Sequence, residues 1–351
     1  MSAFIKTSVV GVMTILKMNP DEYSVSAEYI PQLIKLVEKY GVSEQEYLAG
    51  LPEMASVDLR DPAARIPLHL YEPAILRAMD VTKAPWLGWE FGANVNLSSH
   101  GVLGYAAMSS ETLRDALELA VKYLRTRGTL VELSLKVEGD TAVIQLDELV
   151  ALNDVAPFLV EGFFVGLHYI GSHLMGETYL DGELRFAFPE PDYFQQMKPI
   201  IPVPVQFDCA YHQMRFPAVR LEQKLRFADP RLAQMAEAQC EQEMASIKSP
   251  PKLLGQVRRI VLGEAGRFPS VEETASELHM SSRTLKRKLQ QLGTSYQRIL
   301  DDLRKGLAVE YLTQTECTVD EIAIQLGYSD ASNFARAFRR WTKKSPSDYR
   351  R

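Results

Sequence analysis

The stretch "LGYSDASNFARAFRRW", Leu326 to Trp341, decides how this chain is read. At about 100° per residue on an α-helix, Phe334, Phe338 and Trp341 fall on one face (i, i+4, i+7). Ser332, Arg336, Arg339 and Lys343 fall on the opposite face. One side is suited to burial and the other to meeting negative charge. For a single helix of this kind, a merely solvated basic face is the plain alternative.

A second copy weakens that alternative. "TASELHMSSRTLKRKLQQL" lies over "EIAIQLGYSDASNFARAFRRW", with Ala275, Leu278 and Ser281 matching Ala323, Leu326 and Ser329 at an offset of 48. Leu285, Arg287 and Leu289 then match Phe334, Arg336 and Phe338 at an offset of 49, so the extra residue falls in the turn. In the first copy Leu285, Leu289 and Leu292 share one face, opposed by Arg283, Lys286, Arg287 and Gln290. A small helix, a tight turn and a second helix, twice over, is the helix-turn-helix pattern.

The major groove admits one α-helix, where Arg can pair bidentately with guanine and Asn with adenine. Ser and Thr near a helix start, and Lys toward its end, meet phosphate more often. The DNA-binding set read this way is Arg283, Thr284, Lys286, Arg287, Ser332, Asn333, Arg336 and Arg339. Between the copies, "SYQRILDDLRKGLAVEYL" (Ser295 to Leu312) reads as an amphipathic helix about 27 Å long. Such a strut suits two recognition helices that must sit about one DNA turn, ~34 Å, apart.

Charge divides the chain in the same place. The total is −6, but from Lys252 to Arg351 there are 18 basic and 12 acidic residues, a net of +6. The part before Lys252 therefore carries −12. A basic module joined to an acidic one suggests a nucleic-acid binder attached to something else, and the doubled helix pairs make double-stranded DNA the expected partner. Length, 351 residues, suits two domains or three, and 46% hydrophobic with 24% charged residues is ordinary for a soluble globular protein.

Cys209, Cys240 and Cys317 are odd in number and far apart, which argues against a disulfide framework and fits a reducing cytoplasm. They cannot supply a four-cysteine zinc site, and His168 and His173 lie about 140° apart on a helix, a poor pair for one metal. No metal, cofactor or catalytic residue is expected. The run "TSVVGVMTIL" is short for a signal-peptide core and lacks a cleavage pattern, so residues 1–22 read as a disordered or loosely attached leader. No other run approaches the ~18 apolar residues of a membrane span, so a soluble, cytoplasmic protein is expected, with no membrane partner.

The acidic part opens with helical patterns: "SAEYIPQLIKLVEKYG" stopped by Gly41, "SEQEYLAGL" with Ser43 as N-cap, and "IPLHLYEPAILRAMD". "GVLGYAAMSS" then reads as a strand, "ETLRDALELAVKYLRTRG" as a helix, and "TLVELSLKVEG" with "DTAVIQLDEL" as two strands turning at Glu138-Gly139-Asp140. A long apolar helix, "VAPFLVEGFFVGLHYIGSHLMG", precedes the strand "GELRFAFPE" and two short extended pieces. The expected fold class is α+β: a helical cap and a ferredoxin-like βαββαβ effector domain over 23–225, then an all-α domain with two helix-turn-helix units. A helical linker occupies 226–251, ending at Pro250-Pro251. The DNA-binding domain takes 252–351, with units at about 271–292 and 319–342 around a linker helix at about 295–312.

The residues from about Pro269 to Arg350 resemble the DNA-binding domain of the AraC/XylS family of bacterial transcription regulators. "SSRTLKRKL", "LRKGLAVEYL" and "TVDEIAIQLGYSDASNFARAFRRWTKKSPSDYR" carry the likeness, the last most specifically. The resemblance implies seven helices holding two helix-turn-helix units, with base contacts at Arg283, Lys286 and Arg287, then at Ser332, Asn333 and Arg336. Family members differ widely in the first recognition helix, so the likeness speaks less to its contacts than to its fold. "SHGVLGYAAMSSETLRDALELAVKYLRT" is similar to the ligand domain of an AraC subgroup that includes regulators of amino-acid catabolism and virulence. That domain carries the label arabinose-binding and differs from the cupin barrel of the arabinose regulator; the likeness spans roughly Tyr23 to Arg220.

A sensor needs an apolar pocket with a few polar groups. Trp86, Trp89, His100, Tyr105 and Tyr123 cluster before and within "HGVLGY" and are the effector-binding candidates, core filling being the competing account of each. The expectation is a DNA-binding, effector-responsive regulator that also meets RNA polymerase and can form a homodimer through the acidic part or the helix from Pro230. A ligand-independent adaptor is the alternative. A DNA alkyl-transfer enzyme is a remote one, for want of the cysteines it needs.

Overall fold

The computed structural model describes residues 23–350 apart from 62, 96, 179–180, 199–200, 202, 248–252, 262–267 and 316. The leader 1–22 and the boundary at Pro250-Pro251 lie outside the described residues. Two compact units result. One takes in the described residues up to Leu184, with Pro191–Pro204 and the described residues from Gln213 to Pro250; the other takes Arg185–Glu190, Val205–His212 and the described residues after Pro250.

The first unit begins with β1 (Ser24–Ser26), α1 (Tyr29–Lys39) and α2 (Glu44–Ala49). Ile30, Leu33, Ile34 and Val37 of α1 are buried at helical spacing, and Gly41 at φ +82° turns the chain out of it. Ser43 caps α2 by accepting the Glu46 N–H. β2 (Arg65–Pro67) pairs antiparallel with β1, followed by α3 (Leu68–Thr82), α4 (Leu87–Asn94), α5 (Gly101–Ser109) and α6 (Leu113–Tyr123). Thr112 and Asp115 close a capping box at the start of α6. β3 (Val131–Glu138) and β4 (Thr141–Glu148) form the expected hairpin, Glu138 opposite Thr141, with Gly139 at φ +60° in the turn. After α7 (Ala156–Met175) come β5 (Glu183–Arg185), α8 (Phe194–Met197), β6 (Val205–Gln206) and β7 (His212–Pro217), and the strand order is β3-β4-β7-β5-β6.

One expectation is overturned. "GVLGYAAMSS" is the helix α5, so it does not supply the strand that would open a βαββαβ unit, and among the described residues an α+β domain of different order stands in its place. Leu103 and Ala106 are buried three residues apart, a helical period that so short an apolar run does not distinguish from a strand. Burial of this face is completed by α9 (Pro230–Ser246), whose Ala236 and Cys240 pack on Leu103, Ala106 and Tyr123. The helix read as a linker thus belongs to the first unit.

Among the described residues, the stretch Asn153–Met175 is long and apolar enough to cross a membrane by length and composition. Here α7 is a core helix packed on α4 at very close range. A Cβ on Gly88 would sit 2.7 Å from Phe158 Cα, and one on Gly92 would sit 2.9 Å from Gly166 N and closer still to Gly162 O.

In the second unit seven helices follow Pro250 among the described residues: α10 (Leu253–Val261), α11 (Val271–Glu277), α12 (Ser282–Gln291), α13 (Tyr296–Gln314), α14 (Val319–Gln325), α15 (Ala331–Thr342) and α16 (Pro346–Tyr349). Ser270 with Glu273 and Thr318 with Glu321 form matching capping boxes on α11 and α14. The second core joins Val309 and Leu312 of α13 to Ile322, Leu326, Phe334 and Phe338. Residues 205–212 pack within this unit: Lys305 forms an ion pair with Asp208, and Tyr349 donates to Asp208 Oδ2 at 2.9 Å. A Cβ on Gly306 would meet Ala210 N at 2.6 Å, so α13 carries glycine where that segment crosses it.

The glycine contact between α4 and α7 gives a direct test. Gly92→Ala should destabilise the first unit by about 1–3 kcal/mol through overpacking, read as a lower Tm. Gly255→Ala, whose added Cβ meets nothing within 4 Å, should leave Tm unchanged or raise it.

Candidate nucleic-acid interface and effector cavity

The pairs α11–α12 and α14–α15 are built alike down to their turns. Met280 N–H donates to Ala275 O, and Tyr328 N–H to Ala323 O, both at 2.9 Å. His279 and Gly327, 48 apart, both take positive φ, +54° and +72°. This six-to-one closure ends the first helix of each pair and aims the second. The second pair has one residue more before its N-cap, as the offset of 49 requires. Ser281 caps α12 by accepting the Thr284 N–H, and Asp330 caps α15 by accepting the Asn333 N–H at 2.7 Å.

The two faces separate as their spacing predicts. Leu285, Leu289, Phe334 and Phe338 are wholly buried, and Trp341 is half-buried. Arg283, Lys286, Arg287, Ser332, Arg336 and Arg339 are exposed, with Thr284 and Asn333 half-buried. Several of these side chains are held. Thr284 Oγ1 bonds Ser281 Oγ at 2.8 Å, and Lys286 Nζ lies 3.7 Å from Glu272. Asn333 donates Nδ2 to Ser329 and Asp330, while its Oδ1 accepts from Arg336 Nη2 at 2.5 Å. Arg340 is tied to Asp301 of α13 at 3.1 Å, separating it in role from Arg339 beside it. Basic side chains thus line both second helices outward, the arrangement that meets phosphate and base edges.

The first unit holds a partly open cavity of ≈ 200 Å³. Phe91, Leu103, Leu117, Ile144, Phe158 and Met214 are among its walls, drawn from helices and sheet alike. Its polar groups are Tyr29, Tyr71, His100 and Arg127. Tyr29 Oη and His100 Nδ1 lie 3.0 Å apart. Burial, then the charge of Arg127, pushes the His100 imidazole down to about 4, so the ring is neutral. Arg127, 5% exposed, pairs with Glu28 and donates to Ser26 Oγ at 2.9 Å and Ser99 O at 3.2 Å.

Of the five effector candidates, His100 alone lines this cavity. Trp86 donates to Glu90 at 2.9 Å, and Tyr105 stands 49% exposed on the outside of α5. Tyr123 is buried, its hydroxyl donating to Glu241 at 2.6 Å to hold α9. Trp89 is core, 6.4 Å from Phe194 between ring centroids. Tyr29 and Arg127 escaped the reading because nothing local marks an arginine beside Gly128 as buried.

Behind Trp89 lies a buried carboxyl. Tyr193 donates to Glu161 Oε1 at 2.8 Å and Oε2 at 2.9 Å, and burial pushes the Glu161 carboxyl up to about 8, with the hydrogen bonds from Tyr193 and Trp89 pulling the other way.

A helical unit with two basic-faced helix pairs, following an α+β unit around an apolar cavity, defines a class: a DNA-binding transcription regulator. Comparison with known proteins makes it particular. Residues 41–225 match the family described as the arabinose-binding domain of AraC transcription regulator, N-terminal, and 274–351 match a helix-turn-helix domain. The ornithine utilization regulator of Pseudomonas aeruginosa is 39% identical over 326 residues, 93% of this chain and 96% of that one. An uncharacterised HTH-type transcriptional regulator of Mycobacterium tuberculosis is 28% identical over 324 residues, 91% and 94% of the two chains. Among solved structures, that of the transcriptional regulator CdpR from Pseudomonas aeruginosa is similar at a TM-score of 0.44 and 25% identity, covering 90% of this chain and 96% of that one. The chain belongs to the AraC family of transcription regulators. It is a regulator and not an enzyme, which disposes of the alkyl-transfer reading.

Glu161 makes a pH prediction. Its carboxyl stands near 4.5 in the unfolded chain and about 8 in the fold, so the native state holds the extra proton between those values. The contribution is fully present below 4.5 and is lost as pH rises through 8, by up to about 1.4 kcal/mol per pH unit. Melting curves at pH 5.5, 7 and 8.5 should show a fall in Tm that Glu161→Gln flattens, the variant overtaking the parent at pH 8.5.

Proposed function

We propose that this regulator reads DNA with α12 and α15 in successive major grooves, and that a small ligand in the cavity of the first unit controls it from the cytoplasm. The observation that carries the DNA part is the doubling itself: two helix pairs with the same caps and closing turns, which we take as two helix-turn-helix units. Each presents a basic face opposite a buried one. α13, 19 residues and so about 28 Å long, spaces them. That is the scale of one DNA turn, ~34 Å.

Arg336 is the base-reading residue of α15, and Asn333, whose amide is already engaged at both ends, positions it. Arg283 and Arg287 read bases from α12. Thr284, Ser332, Lys286 and Arg339 meet phosphate, Lys286 leaving an exposed pair with Glu272 that is worth little. The cavity favours the ligand-controlled reading over a ligand-independent adaptor, since a domain that only docks has no use for an apolar hollow at its centre. The name of the Pseudomonas aeruginosa relative makes amino-acid utilisation genes the first place to seek operators.

Selection of fragments of the organism's own genome by the full-length protein should recover a motif of two blocks about one helical turn apart. Arg336→Ala and Arg287→Ala should each cost about 1–3 kcal/mol and relax preference in one block only, a different one for each. Arg339→Ala should weaken all sequences alike and reduce the salt slope of log Kd by about 1. Recovery of no motif with or without cell extract would sink this reading.

A further inference from the structure

We infer that the cavity of the first unit is built for an amphipathic monoanion: an alkyl or aryl body in the apolar hollow, with its carboxylate at Arg127. This rests on the reading of that cavity as the effector site and names the ligand class it takes.

Size comes first. A cavity of about 150 Å³ lined by apolar side chains holds one benzene, and this one measures ≈ 200 Å³. A body of roughly eight to ten heavy atoms is therefore the scale. Wall chemistry comes next. Among the lining residues only Tyr29, Tyr71, His100 and Arg127 carry a polar side-chain group, and none is Asp, Glu or Lys. A sugar, with a hydroxyl on nearly every carbon, would leave most of its hydrogen bonds unmade here, at about 1–3 kcal/mol each.

Charge selects the head group. Three of the four polar side chains gather at one end: Arg127 lies over the Tyr29 ring at 5.7 Å, and Tyr29 bonds His100. Arg127 Nε is buried with no hydrogen-bond partner, while Nη2 alone takes Glu28, Ser26 and Ser99. Behind it, Arg65 donates to Ser24 and Thr126 and adds a second guanidinium. Arg65 is near enough for the two guanidinium charges to act on each other, and Glu28 is the carboxylate paired with Arg127, so positive charge outnumbers negative beside this end of the cavity. His100, neutral in this setting, adds no charge of its own. An orphan cationic N–H is what a carboxylate completes. An ammonium group has no acidic side chain in the wall to meet, and burying it unpaired costs several kcal/mol. Amines and diamino acids are excluded on that ground.

Calorimetric titration of the full-length protein with octanoate, 1-octanol, octylamine and L-ornithine tests this. Octanoate should bind roughly tenfold or more tighter than 1-octanol, a charge-assisted bond being the difference, with octylamine and ornithine silent. Arg127→Gln should abolish the preference for octanoate over octanol while octanol still binds, a selectivity change that loss of structure alone does not produce. Ala107→Phe, which fills the cavity from α5, should abolish both. Octylamine or ornithine binding as tightly as octanoate overturns the ligand class, and if Ala107→Phe abolishes that binding the cavity still stands as the effector site. Silence from all four probes also overturns the class. If fragment selection by Ala107→Phe then matches that of the parent under every growth condition, the effector reading falls with it. Should either variant fail to fold, the four-probe series on the parent chain decides alone.

Discussion

Burial of Phe334 and Phe338 against α13 and α14 is the constraint on which the DNA-reading unit depends. A recognition helix is short, and α15 has only three turns, so nothing intrinsic keeps it formed or aimed. Two aromatic side chains, one turn apart and fully excluded from water, lock both its rotation and its height. Rotation fixed on the inside is rotation fixed on the outside, so Arg336 and Arg339 have a defined heading before any DNA arrives. The same logic runs through Leu285 and Leu289 on α12. Asp330 and Asn333 refine it, since the cap that starts the helix also holds the amide that holds Arg336.

In the first unit a single buried guanidinium has the comparable place. Arg127 engages Ser26 and Glu28 beside β1 and the Ser99 carbonyl ahead of α5, and its own carbonyl accepts from Ser26 N–H at 2.8 Å. A charge so deep is stabilising only if every partner stays in position. Segments far apart in sequence, around residues 26, 99 and 127, are therefore held to one another by a group that also borders the cavity. Fold and site share that residue, so a ligand that met its free Nε would touch the junction of three segments at once.

Much of the second unit was legible in the sequence, and the reason is local. Capping boxes, apolar stripes and the 48- and 49-residue offsets are short-range signals that each helix satisfies within itself or with its neighbour. The first unit yielded less. "GVLGYAAMSS" was misread because a run with few polar residues has no face to show, and α9, from more than a hundred residues downstream, supplies the cover that makes it a helix. Trp86, Trp89, Tyr105 and Tyr123 drew attention as aromatics near a motif, yet their surroundings are a carboxylate, a core, solvent and α9. Tyr29 and Arg127 become neighbours only through long-range closure, which no window of sequence contains.

The division between the units also departs from the division by likeness. Residues 205–212 fall inside the range that matches the arabinose-binding family, 41–225, but they pack with the helices that follow Pro250. Asp208 takes Lys305 and Tyr349 as partners, and Gly306 is small because Ala210 lies against it. Lys305 and Asp208 are both mostly buried, 17% and 13% exposed, so removing one leaves the other charged and unsatisfied. A fragment beginning at Lys252 would keep both helix pairs but strip α13 of that partner. α13, which lies between the two helix pairs in sequence, is therefore braced by chain from within the range that matches the arabinose-binding family. Whatever displaces 205–212 changes the surroundings of α13, the helix whose Val309 and Leu312 share a core with Phe334 and Phe338 of α15.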